Sequence, residues 1–203
     1  MVSGPSGAGK TTLCAEVIRD LPWLEASVSH TTRAPRPGEE NGRQYHFVDR
    51  GTFEEMIRVG QFLEWAEVHG HLYGSSWKSL EGRSGGRDLL FEVDCIGAKQ
   101  IQKKIEGAVL IFIMTPSLED LVRRIQRRGA VSGAELAMRL QTARREIRQV
   151  AEFDFLVIND RFTDAVDALR SILISERCRL DLRAGHWIEK WAREFDRLSE
   201  LPS

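Results

Sequence analysis

Residues Gly4–Thr11 read Gly-Pro-Ser-Gly-Ala-Gly-Lys-Thr, which fits G-x-x-x-x-G-K-[ST] at every fixed position. The chemistry such a loop performs is phosphate capture. Glycines let the backbone turn tightly and aim successive N–H groups at an anion, and a helix opening near Lys10 adds the positive end of its dipole. Gly4, Ser6, Gly7, Ala8, Gly9 and Thr12 are the expected cradle positions. Lys10 is expected to reach the β- and γ-phosphates, and Thr11 to offer its hydroxyl to magnesium. The ligand class is therefore a nucleoside triphosphate with Mg2+. A second anion-binding pattern follows in Thr31-Thr32-Arg33-Ala34-Pro35-Arg36, where Pro35 and Pro37 stiffen a loop carrying Arg33 and Arg36. Planar guanidinium groups bind phosphate bidentately, and two of them suit a dianionic monophosphate. Taken alone, the pair also fits a solvated basic loop.

Other candidate groups carry less. His69 and His71 flank Gly70, but no third ligand accompanies them, so a metal site is not expected there. Cys95 reads as a small buried residue rather than a nucleophile. Asp94 ends an apolar run, where open α/β sheets place ligands, and Glu92 points to the same side.

The elements that must position these groups alternate. Helices are expected over Thr12–Leu21, Thr52–Val59 (with Thr52 and Glu55 as a capping box), Ser75–Gly82, Gly97–Ile105, Ser117–Arg128, Ser132–Val150 and Thr163–Arg179. Strands are expected at Ala26–Ser29, Tyr45–Val48, Phe62–Val68, Leu72–Tyr73, Asp88–Val93, Val109–Met114 and Phe155–Ile158. Only Met1–Ser3 precede the phosphate loop, so its feeding strand is either very short or continues into residues upstream of this start. The alternation predicts an α/β protein with a parallel sheet covered on both faces. Tyr45–Tyr73 breaks it and reads as a small mixed subdomain inserted into the core. Trp187, Trp191, Phe195 and Leu198 fall at helical spacing in the tail.

Composition narrows the classes. The chain has 203 residues, enough for one domain with a lid and a tail. A net charge of −1 makes no general case for nucleic-acid or membrane binding. No apolar run approaches membrane-spanning length, and no signal peptide is expected. Three cysteines without metal or redox spacing suit a reduced, cytoplasmic setting.

From Gly4 to about Arg179 the chain resembles guanylate kinase, of the bacterial type. The resemblance is carried by the phosphate loop, Ser29-His30-Thr31-Thr32-Arg33-Ala34-Pro35-Arg36, Gly38-Glu39-Glu40-Asn41-Gly42-Arg43-Gln44-Tyr45-His46-Phe47 and Phe62-Leu63-Glu64-Trp65-Ala66. Tyr73-Gly74-Ser75, Glu92-Val93-Asp94, Arg127-Arg128-Gly129 and Ile158-Asn159-Asp160 extend it. It implies a P-loop nucleoside monophosphate kinase fold over residues 1–180, with a GMP-binding subdomain at about 30–80 and a helical lid at about 124–145. Residues 181–203 would form a C-terminal amphipathic helical extension. It implies Mg-dependent phosphoryl transfer from ATP to GMP, and to dGMP.

The resemblance assigns Arg33, Arg36, Tyr45 and Tyr73 to the GMP phosphate, and Ser29, Glu64 and Ser75 to guanine. A carboxylate at Glu64 accepts from the adjacent N1–H and N2–H2 donors of guanine, whereas adenine presents an acceptor at N1. Without the resemblance, Glu64 would read as a surface charge on a strand whose neighbours Leu63 and Trp65 face inward. Asp94 is placed beside magnesium or its waters and near the GMP, with Glu92 alongside. Arg124, Arg128 and Arg139 map onto lid arginines that close over the triphosphate, and Asn159 lies near the adenine of ATP. Arg123, Arg127, Arg144, Arg145 and Arg148 read as a solvated helical face. Departures from the family pattern are Ile96, Gly133, Ala134 and an unexpected Trp77. Two other classes compete: a kinase-like module that binds phosphopeptides without catalysis, and a kinase acting on a phosphorylated sugar. The intact Lys10-Thr11 pair argues against the first, and Tyr45, Glu64 and Ser75 against the second. A monomer or a homodimer is expected.

Overall fold

The runs near Val2, Leu90, Leu110 and Val157 are apolar and satisfy their backbone groups by pairing side by side in parallel. The computed structural model describes every residue except 69, 82–85, 128–131 and 200–203, and it does not describe the side chains of 180–187, 198 and 199. The element order is β1 (Val2–Ser3), α1 (Lys10–Asp20), β2 (Leu24–Ala26), β3 (Ser29–Thr31), β4 (Tyr45–Phe47), α2 (Arg50–Arg58), β5 (Phe62–Val68) and β6 (His71–Ser76). It continues with β7 (Asp88–Leu90), α3 (Cys95–Gln102), β8 (Ile111–Met114), α4 (Leu118–Arg127), α5 (Gly133–Ile147), β9 (Phe155–Ile158), α6 (Phe162–Arg177) and α7 (Leu180–Ser199). The chain divides into two compact units, Met1–Leu169 and Arg170–Ser203.

Within the first unit, β1, β8 and β9 form one parallel sheet and β2 and β7 another. A parallel bridge between Val2 and Glu92 joins them, with Val2 N donating to Phe91 O (2.8 Å) and Val93 N to Val2 O (3.2 Å). The combined strand order is β2-β7-β1-β8-β9. The phosphate loop and Asp94 therefore leave neighbouring strands at the same carboxyl edge, the usual ligand-binding edge of such sheets.

A separate four-stranded sheet, ordered β4-β3-β6-β5, is mixed: β3 pairs parallel to β4, and β6 runs antiparallel to both β3 and β5. Its far side is closed by α2. Phe53 stacks on Phe62 with ring centroids 4.4 Å apart, and Leu72, Val48, Met56 and Ile57 fill in around them. A second cluster of Leu63, Phe91 and Ile101 ties β5 to the core. Leu121 and Ile125 of α4 pack on Ala143 of α5.

The predicted α/β class is observed, but several boundaries differ. The strand expected at Ala26–Ser29 is two strands, because the chain leaves the parallel sheet after Ala26 and enters the mixed one at Ser29. α2 is capped by Asp49, not Thr52: the Asp49 carboxylate accepts from Thr52 N at 2.9 Å. Ser75 and Ser76 belong to β6, and the helix expected over Ser75–Gly82 is a single 3-10 turn at Trp77–Leu80. The caps expected at Ser117 and Ser132 are formed, accepting from Asp120 N and Glu135 N. In the second unit α7 forms the expected helix, with Trp191 and Phe195 rings 5.9 Å apart on one face. Trp187 and Leu198 lie outside the described side chains.

Candidate functional site

The phosphate loop spans the turn from β1 into α1, and its glycines are required by packing. A Cβ on Gly4 would lie 2.1 Å from Ile113 O, and one on Gly9 2.3 Å from Asn159 Nδ2. Both residues also have positive φ, at 136° and 93°, which L side chains avoid. Asn159 Nδ2 donates to Ala8 O at 2.7 Å, so the side chain, 6% exposed, fastens the loop to the end of β9. Arg124 Nη2 donates to Asn159 O at 2.8 Å from the other side. Lys10 Nζ bends back to Gly4 O (2.5 Å) and Pro5 O (3.1 Å), which holds the ammonium over the loop. Thr11 Oγ1 donates to Glu92 Oε1 at 2.6 Å.

This loop forms one wall of a cleft of about 250 Å³. The mixed sheet forms the facing wall through Ser29, Tyr45, Glu64, Tyr73 and Gly74, and α5 adds Arg139, Thr142 and Glu146. Glu92, Val93 and Asp94 make its floor. Gly4, Ser6, Gly7, Gly9, Lys10 and Thr11 thus share one cavity with Ser29, Tyr45, Glu64, Tyr73, Glu92, Asp94 and Arg139. Thr12, Arg33, Arg36, Ser75, Arg124 and Asn159 do not line it: Arg36 and Thr12 are exposed, Ser75 is fully buried behind Glu64, and Ala8 is fully buried beneath the loop. Arg128 lies outside the described residues, as does His69. Arg123, Arg127, Arg144, Arg145 and Arg148 are exposed, as a solvated helical face requires.

Glu64 is not the half-solvated strand residue that alternation suggested. A register shift between Phe62 and Glu64 turns Glu64 inward, to 4% exposure, and leaves Trp65 39% exposed. Its Oε1 accepts from Ser75 N (2.8 Å) and Ser75 Oγ (2.7 Å), and Ser29 Oγ lies 3.0 Å from Ser75 Oγ. Oε2 sits over Gly97, where any Cβ would come within 2.6 Å of it. Burial pushes the Glu64 carboxyl up to about 7, against the pull of the Ser75 hydrogen bonds. Asp94 caps α3 through Gly97 N (2.7 Å), and burial raises its carboxyl too. Tyr45 is pushed up to about 12 by burial and then by the Glu92 charge, so its phenol stays a donor.

Sequence reasoning missed three groups. Glu146 faces the cleft with its carboxyl pushed up to about 7, chiefly by burial; Lys10 pulls the other way and Asp94 adds to the rise. Its Oε2 has no hydrogen-bond partner among the described residues. The signal was available, since Arg139, Thr142 and Glu146 recur at i, i+3 and i+7 of one helix. Gly97 and Glu39 gave no such signal, because both act on a partner remote in sequence or hidden in a loop.

Hard oxygen donors suited to a divalent cation converge at Thr11, Glu92 and Asp94. Among the described residues, no three His, Cys, Asp or Glu side chains could hold a metal by themselves. That combination fits an ion carried largely by phosphate oxygens, not a protein cage.

Comparison with known proteins places this geometry. The family model for guanylate kinase matches residues 1–176. A guanylate kinase of Geobacter sulfurreducens is 45% identical over 202 residues, covering 99% of this chain and 94% of that protein. One from Desulfitobacterium hafniense is 46% identical over 181 residues, covering 89% and 90%. The crystal structure of guanylate kinase from Anaplasma phagocytophilum superposes with a TM-score of 0.70 at 32% identity, covering 88% of this chain and 85% of that one.

Proposed function

The chain belongs to the guanylate kinase family, and from its cleft we propose how it works as an ATP:GMP phosphotransferase. The observation that carries the reading is the pairing of two unlike ends in one cavity: a phosphate loop on one wall and a buried, half-satisfied carboxylate, Glu64, on the other. The loop N–H groups and Lys10 take the triphosphate. Glu64 takes guanine, since its Oε1 is held by Ser75 while Oε2 is directed by Gly97. Ser29 supplies a hydroxyl to O6, while the Ser75 hydroxyl stays committed to Glu64 Oε1. Tyr45 and Tyr73, with ring centroids 5.9 Å apart, hold the acceptor phosphate together with Arg33 and Arg36. The acceptor phosphate oxygen then faces the γ-phosphoryl group across the cleft, so catalysis is positioning and charge stabilisation with no covalent intermediate on the protein.

A divalent metal serves this family, and Mg2+ is the proposed ion, held by Thr11 and Asp94 partly through water. Bound there, the ion would supply neutralisation of the triphosphate charge. Arg124, Arg128 and Arg139 are proposed to stabilise charge on the transferring group and leaving phosphate. Arg139 is held in place by Glu135, one turn earlier on α5 (2.5 Å). dGMP is a proposed second acceptor, because no assigned contact reads the ribose 2′-hydroxyl. A cytoplasmic location and a monomer or homodimer are proposed with it; among the described residues no helix is long and apolar enough to cross a membrane. The test is an ADP-release assay with GMP, dGMP, AMP and UMP as acceptors. Comparable turnover of AMP and GMP removes Glu64 from the guanine role.

A further inference from the structure

Arg33 is anchored before it can meet any substrate. Nη1 donates to Glu39 Oε2 (2.9 Å) and to Ala34 O (2.7 Å), and Nη2 donates to Glu39 Oε1 (3.0 Å). Glu39 Oε2 also accepts from Arg36 N at 2.7 Å, so one carboxylate closes the loop on both arginines. The pair is largely sheltered, with side-chain exposures of 12% and 18%. The guanidinium carbon lies 5.5 Å from the Tyr45 ring centroid and 5.7 Å from that of Phe47.

A guanidinium carries five N–H donors in a fixed plane. Glu39 takes the end-on fork, and Ala34 O takes the inner Nη1 hydrogen. The edge that remains is Nε–H with the second Nη2 hydrogen, a bidentate pair of the spacing that suits a phosphate. Arg33 does not itself line the cleft, but both of its aromatic neighbours there do: Tyr73, whose phenol supports the Arg33 charge, and Tyr45, which stacks beneath it. A free arginine on an exposed Pro/Gly loop would sample many rotamers, and ordering it at each binding event costs affinity.

We propose that Glu39 is a positioning residue: it locks Arg33 so that the remaining guanidinium edge, beside the Tyr73 hydroxyl, forms the seat of the acceptor phosphate. This rests on reading the cleft as the site of a nucleoside monophosphate. It also makes Glu39 a partner of the phosphate and not its rival, because carboxylate and phosphate use different edges of one planar cation.

The test is steady-state kinetics of the full chain with Glu39→Gln, Glu39→Ala, Arg33→Ala and the double variant Arg33→Ala/Glu39→Gln. Loss of pre-ordering for one long side chain should raise KM for GMP about 3- to 15-fold in Glu39→Gln, and more in Glu39→Ala. KM for ATP and kcat should stay within about twofold, because the phosphate loop is built on other elements. In the Arg33→Ala background, Glu39→Gln should change KM for GMP by less than about twofold, since its object is gone. Additive effects of Glu39→Gln and Arg33→Ala overturn the proposal, as does a KM for GMP that falls, which would mark the carboxylate as a competitor. A parent enzyme active on GMP whose Glu39 variants match it overturns the role of Glu39 alone. A parent that phosphorylates no guanine nucleotide overturns the reading of the site itself.

Discussion

Gly97→Ala should separate stability from guanine recognition. Gly97 occupies the first turn of α3, and its amide already caps onto Asp94. Replacing glycine by alanine in a helix stabilises it by up to about 1 kcal/mol, less near an end. The new methyl, however, would stand 2.6 Å from Glu64 Oε2 and 3.2 Å from Asp94 Oδ1. Ordinary contact begins near 3.4 Å, so the Glu64 oxygen must withdraw by about 0.8 Å. Oε1 is held by Ser75 N and Ser75 Oγ, so the withdrawal turns Oε2 away from the base or breaks those bonds. Either way one charge-assisted hydrogen bond to guanine is lost, about 1.5–3 kcal/mol. That corresponds to a fall in kcat/KM for GMP of roughly 10- to 150-fold, with KM for ATP unchanged. The assay is coupled ADP release at saturating ATP, alongside a thermal melt. An unchanged or raised Tm with a large loss on GMP supports the argument. A variant within twofold of the parent on GMP, or one that loses Tm and ATP affinity together, refutes it.

Lys10→Met should lower kcat by several orders of magnitude with an unchanged circular dichroism spectrum, because the ammonium acts on charge that develops in transfer; chelating the divalent metal should likewise stop ADP release. Glu64→Gln replaces one acceptor oxygen with a donor, so the ratio of kcat/KM for GMP over AMP should shrink by roughly 10-fold or more; an unchanged ratio assigns guanine recognition elsewhere. Glu64 must be ionised to accept from guanine, and its carboxyl is pushed up to about 7. kcat/KM for GMP should therefore fall as pH drops below 7, with an inflection that Glu64→Gln removes. If the inflection survives in Glu64→Gln, Glu64 is not its source. The stability linkage has the opposite sense. The folded protein holds the Glu64 proton more tightly than the unfolded chain, so this carboxyl's contribution is full below about 4.5 and is lost as pH rises through about 7.

The parts of the site most legible in the sequence are those whose physics is local. Gly4–Thr11 needs no distant partner to be read, because a glycine-rich turn, a helix start and a lysine fall within eight residues. β5 and β9 stand where the apolar runs placed them, and the Ser132 cap follows from a serine with Glu135 three residues on. The failures are contests between local options. Asp49 and Thr52 are both good caps; Asp49 wins because its carboxylate accepts from both Thr52 N and Thr52 Oγ1 (2.6 Å). Strict alternation along β5 would turn Leu63 and Trp65 inward and Glu64 outward, and one register shift reverses this for Glu64 and Trp65. Gly97 looked like any weak helix residue; its absent side chain matters only because β5 delivers Glu64 to the same point.

The charge balance of the cleft supports the composite ligand proposed for it. Glu64, Glu92, Asp94 and Glu146 line it with Lys10, Arg139 and little other positive charge. Burial pushes the carboxyls of Glu64, Asp94 and Glu146 upward, and the Asp94 charge adds to the rise at Glu64 and Glu146, so the cleft disfavours further negative charge. A bare triphosphate would add to that excess. On the proposed reading, a triphosphate bearing a divalent cation would reduce it at Asp94 and Glu92, and a base presenting two N–H donors would satisfy Glu64. Neither relieves the other's carboxylate, because Glu64 is held against Gly97 while Glu92 is tied to Thr11. Each substrate thus completes a different part of one acidic surface. The proposed metal on the donor and N–H donors on the acceptor base would thus answer to different members of one carboxylate set, of which Glu64 is the buried one.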